Sequence, residues 1–227
     1  MNKNSSVKKL FLFLILVSVL GGFIFKIESV DCGISRFSHI EDLQDYDITL
    51  NYAWSESDED GLTKDSFGDH YGVDSAQVIA VVSPTGNFIQ TEGSIGQEFT
   101  VNKVIKGGNQ ITAEKRYYVY KYSGFYPIDG KIEFCSDINL MMPGNKYLIF
   151  MEASPLNKYQ KEDTFLLASE NFGYVKIDAE QTKTINADYR EYQLADLEEY
   201  EFFSTSDTVT DRLNEGRKEL LECYLGI

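Results

Sequence analysis

Gln97-Glu98-Phe99-Thr100-Val101-Asn102-Lys103-Val104-Ile105 begins as an alternation, with Phe99 and Val101 on one face and Thr100 and Asn102 on the other. A period of two marks a strand with one buried face. Lys106-Gly107-Gly108-Asn109 follows, and its glycines supply the positive φ that a hairpin turn requires. The chain then returns through residues 111–122, where Tyr118, Tyr120 and Tyr122 alternate with Tyr117, Val119 and Lys121. One long antiparallel hairpin is predicted, which makes the fold class mainly β.

The same reading extends in both directions. Upstream, Ala76 to Val82 is a short apolar, β-branched run, closed by Ser83-Pro84-Thr85-Gly86 as a turn. Downstream, the turn Pro143-Gly144-Asn145 precedes Lys146-Tyr147-Leu148-Ile149-Phe150-Met151-Glu152, too apolar and too short for anything but a buried strand. Residues 165–169 and 174–177 complete a set of five or more short strands, the pattern of a small barrel or sandwich. After Asn186 the spacing becomes helical, first through Leu194, Leu197, Tyr200 and Glu201, then through Val209, Leu213, Leu220 and Tyr224. Thr208 and Asp211 are placed like a capping box for the second of these helices. The expected organisation is a hydrophobic N-terminal segment (1–27), a polar acidic linker and irregular lead-in (28–72), a small antiparallel barrel (73–186) and a cover of two C-terminal helices (187–227).

Three stretches carry a family resemblance: residues 74–82, residues 98–107 with Val104-Ile105-Lys106-Gly107, and residues 143–150 with Gly144-Asn145-Lys146-Tyr147-Leu148-Ile149-Phe150. In this order they resemble bacterial surface proteins of the tissue-inhibitor-of-metalloproteinase and netrin-like group, over about residues 74 to 177. The resemblance implies an OB-like barrel. In the animal inhibitors a cysteine at the mature N-terminus binds the zinc of the target protease. Cys32 follows Ser29-Val30-Asp31, which is no plausible cleavage site, and the group's dense disulfide framework is missing. Protease inhibition is therefore carried over to no residue of this chain, since fold alone does not fix function.

Ahead of the β region, Lys8 and Lys9 precede an uncharged run from Leu10 to Phe25, closed by Lys26. Its length lies between the core of a signal peptide and a spanning helix. Basic residues stay on the cytoplasmic side, so the body that follows is expected outside. Gly21 and Gly22 offer only a weak cleavage site, which favours retention as a single-pass anchor in the membrane, with secretion after cleavage as the alternative. The chain carries a net charge of −15 although Lys3, Lys8, Lys9 and Lys26 are the only charged residues before Glu28, so the body is more acidic still. Such a surface repels phosphate backbones, which excludes nucleic acid as the expected partner. A basic protein partner at the cell surface or outside the cell, or divalent cations drawn from outside, fits the sign better.

Three cysteines, Cys32, Cys135 and Cys223, lie far apart without a C-x-x-C pair or a histidine at metal-ligand spacing, so no metal ligand is assigned. Glu56-x-Asp58-x-Asp60-Gly61 is similar to the start of a calcium loop, but Lys64 and Phe67 stand where its later oxygen ligands belong. The bland reading there is a solvated acidic loop. His39 and His70 sit in no recognisable catalytic context, so no catalytic residue and no cofactor is assigned. Tyr117, Tyr118, Tyr120, Tyr122, Phe125 and Tyr126 are the best candidates for a recognition surface, half of them expected to face the core, against the alternative that all are cross-strand packing. The expected function is an extracellular binding module, membrane-tethered or secreted and without catalytic activity. The alternative is an extracellular cation-dependent enzyme or hydrolase whose site is not legible.

Overall fold

The computed structural model describes residues 37–50, 72–91, 93–136, 138–154, 164–177, 183–186 and 191–227. The N-terminal apolar run, Cys32, the acidic motif at 56–61 and His70 lie outside them. The structure is mainly β, with 48% strand, and holds a closed five-stranded barrel.

The barrel starts from the predicted hairpin. Strand β3 (Ser94–Lys106) pairs antiparallel with β4 (Arg116–Tyr122), from Ser94 opposite Tyr122 to Thr100 opposite Arg116. Gly107 turns the chain at φ 84°, and its carbonyl accepts the N–H groups of Gln110 and Ile111. On the other edge of β3 lies β2 (Val78–Thr91), which is longer than the sequence suggests. Ser83-Pro84-Thr85-Gly86 does not end it. The strand bulges there, with Pro84 opposite Phe99 and Phe88 opposite Gln97, and then runs on to Thr91 opposite Ser94. The composition of a turn is accommodated because the other neighbour, β7 (Tyr147–Ala153), pairs with β2 only over Val78 to Val82. Pro84, with no N–H to give, stands beyond that ladder. Strand β8 (Thr164–Leu167) pairs antiparallel with β7 and parallel with β4, which closes the order β2-β3-β4-β8-β7 on itself. Ala80, Val82, Phe99, Val101, Val119 and Ile149 are 3% exposed or less, so the barrel interior is packed side chain. A further strand, β9 (Tyr174–Lys176), extends the sheet beside β7.

A second apolar core lies against the far half of the β2–β3 hairpin. Here β11 (Glu191–Tyr192), β1 (Ile48–Leu50), β6 (Lys131–Cys135) and β5 (Gly124–Ile128) form a four-stranded sheet. The β5–β6 turn is Asp129-Gly130, both at positive φ (51° and 83°), the backbone of a type I′ hairpin. Part of the polar lead-in is packed here: Phe37, Ile40, Leu43, Ile48 and Leu50 are buried with Phe88 and Ile95 of the hairpin. Gln90 ties the two sheets together. Its side-chain amide donates to the Phe125 carbonyl (2.7 Å) and accepts from the Phe125 N–H (3.3 Å), so it pairs with the edge of β5 as a peptide group would.

The C-terminal region departs from the two expected helices. The first is a single turn, α1 (Leu194–Leu197), and Tyr200 and Glu201 belong instead to a strand, β12 (Tyr200–Ser204), which pairs parallel with β10 (Lys183–Asn186). The second helix, α2 (Asp207–Leu225), is present and buries Val209, Leu213, Leu220 and Leu221 in the barrel-side core. Its cap is not Thr208 with Asp211. Ser206 is the last residue with extended backbone, and its side chain accepts the Val209 N–H, whereas Thr208 already lies in the first turn. Ser206→Ala is expected to cost about 1 kcal/mol, and Thr208→Ala much less. Urea unfolding midpoints of the two variants distinguish these positions.

Candidate functional site

Strand β4 sorts the predicted aromatic cluster by alternation. Tyr117 and Val119 point inward at 3% exposure each, with Tyr117 stacked on Phe99 and edge-on to Phe165. Tyr118 and Tyr120 are half-buried on the opposite face, and Tyr122 is 84% exposed. Phe125 is buried in the second core, between Phe88 and Phe134. Tyr126 is half-buried, its ring folded back over Gly124. The structure therefore brings Tyr118, Tyr120 and Tyr122 to one outward face and assigns Tyr117 and Phe125 to packing.

The shape of that face is set by a glycine. Gly96 stands opposite Tyr120 in the ladder, and a Cβ placed on it would lie only 2.5 Å from the tyrosine ring. The ring lies flat across bare backbone, which fixes Tyr120 without burying it fully. Beside it, Ile89 of β2 pairs with Gly96, and Leu166 of β8 pairs with Tyr120, each 38% exposed. Tyr122 continues the face past Gly93, whose positive φ (79°) shapes the link between β2 and β3. The result is a contiguous strip of Ile89, Tyr120, Leu166 and Tyr122, aromatic and aliphatic area at the surface of a strongly charged protein.

One end of the strip is polar and fixed. The bulge in β2 sets Thr85, Gly86 and Asn87 opposite the single residue Glu98. Thr85 Oγ1 (2.7 Å) and Asn87 Nδ2 (2.9 Å) both donate to Glu98 Oε2, and Arg116 Nη1 stands 3.6 Å from the same oxygen. Glu98 is 12% exposed while Arg116 is 64% exposed, so the carboxylate is held in place and the guanidinium reaches into solvent. This arrangement offers rigid apolar area, phenol hydroxyls and a guanidinium, the residue types that dominate binding hot spots. Sequence reasoning did not single out Ile89, Leu166, Glu98, Asn87 or Thr85. The available signal was Gly96, an isolated glycine in a strand pattern, which marks a close approach of another group.

The inward end of β4 carries a cation. Lys121 Nζ donates to the carbonyl of Ile138 (2.8 Å), to Tyr174 Oη (3.0 Å) and to Ser136 Oγ (3.1 Å), and lies over the rings of Phe134 and Tyr174 at 5.6 Å. These contacts join the barrel to the second core, which makes Lys121 a seam residue. His39 is exposed at the head of a 3-10 turn (Ile40–Leu43). There its N–H and that of Ser38 donate to the Asp42 carboxylate, which these backbone bonds hold below the usual carboxylate range. Cys135 is half-buried on β6 and Cys223 is exposed near the end of α2. Among the described residues no three of His, Cys, Asp and Glu converge as a metal site would require, and no helix is long and apolar enough to cross a membrane.

The chain matches no family model, no curated protein and no solved structure.

Proposed function

We propose that the chain is a non-enzymatic binding module at the outer side of a cell membrane, and that the outward strip running from β2 over β3 and β4 to β8 contacts a cell-surface or extracellular protein. The observation that carries this reading is Tyr122, a large aromatic side chain 84% exposed at the end of a preorganised row that includes Tyr120, Ile89 and Leu166. Isolated apolar residues at a surface are ordinary, but a contiguous aromatic strip fixed by a glycine and flanked by an exposed arginine favours recognition. The barrel is taken to be of the OB type. Three consecutive antiparallel strands, the last of them parallel to the fifth, give the Greek-key closure of that fold, and β3 and β4 are its second and third strands. In OB barrels that face is a common binding surface. The net charge of −15 argues against nucleic acid as the occupant. Placement outside rests on Lys8 and Lys9 preceding the run from Leu10 to Phe25, through which the chain would be tethered.

The test separates recognition from packing. Tyr122→Ser is expected to change folding stability by no more than about 0.5 kcal/mol, as for other exposed positions. It is expected to weaken partner binding by about 2 kcal/mol, roughly thirtyfold in Kd. Tyr117→Ser, which opens the barrel core, is expected to abolish stable folding. Partner capture by the purified Tyr122→Ser protein at the strength of the parent would remove the strip from the binding surface.

A further inference from the structure

We draw no further inference here: the strongest candidate, the outward strip of Ile89, Tyr120, Leu166 and Tyr122 on the barrel sheet, belongs to the site already described, and nothing in the structure shows what chemistry of partner covers it.

Discussion

Arg217→Ala is expected to destabilise the protein by about 3–5 kcal/mol, the usual cost of breaking a buried ion pair from one side. Arg217 is on α2 and Glu201 is on β12, with their side chains 5% and 1% exposed. Between them they meet both backbone groups of Lys176 at the outer edge of β9. Arg217 Nε and Nη2 donate to the Lys176 carbonyl at 3.1 and 2.7 Å, and the Lys176 N–H donates to Glu201 Oε1 at 2.6 Å. Arg217 Nε lies 3.3 Å from the other carboxylate oxygen. The ion pair thus stands where the peptide groups of one more strand would be, and it fastens the C-terminal helix to the sheet. Burial pushes the Arg217 guanidinium below its ordinary range, with the Glu201 charge opposing, so the pair is expensive to keep dry and more expensive to break. Truncating Arg217 leaves a buried carboxylate and a buried carbonyl without the guanidinium. Against a typical domain stability of about 5–15 kcal/mol, that loss is large. Urea unfolding of Arg217→Ala checks it. A change below about 1 kcal/mol would mean the pair is hydrated in solution.

Phe202→Ala and Phe203→Ala are each expected to cost about 3–5 kcal/mol, the range for deleting a buried phenylalanine. The two residues are adjacent in β12 and both are 0% exposed, yet they belong to different cores. Phe202 packs against Phe172 on the barrel side, and Phe203 packs edge-on against Phe134 in the second core. Successive side chains of a strand point to opposite faces, so β12 serves as the partition between two apolar compartments. Had residues 200–204 been helical, neighbouring phenylalanines would lie about 100° apart, and equal, complete burial in two cores would not follow. Thermal or urea unfolding of the two variants gives the measurement. A near-neutral Phe203→Ala would contradict the second core.

The contrast at β12 also explains which parts of the fold the sequence makes legible. Strands with a clean neighbourhood, such as Lys146 to Glu152 before β8, and the pairing of β3 with β4, are readable because apolar runs and period-two alternation act locally. The segment Tyr200-Glu201-Phe202-Phe203-Ser204 is apolar on both faces, so it has no period of two, and Leu194, Leu197 and Tyr200 ahead of it are spaced like a helix. Its state is decided by the two cores that flank it, which gather residues from as far upstream as Val73 and Phe37. The bulge at Pro84 is hidden for a related reason, since a proline and a glycine are tolerated inside β2 only because β7 has already parted from that edge. Asp129-Gly130 did carry a readable hairpin signature between two short β-rich runs. At the candidate site, the alternation along β4 foretells that half of the tyrosines face outward. It does not foretell that a bulge two strands away fixes Glu98, or that β8 brings Leu166 alongside Tyr120, because those neighbours depend on register and barrel closure.

The most direct test of a binding face on the outward side of β3 and β4 is photo-crosslinking on intact cells. A photoreactive aromatic amino acid replaces Tyr122, and in a control chain it replaces Glu215, which is exposed on α2. The expected result is a discrete adduct from position 122 that position 215 does not give. Equal labelling at both positions, or none at 122, would contradict it.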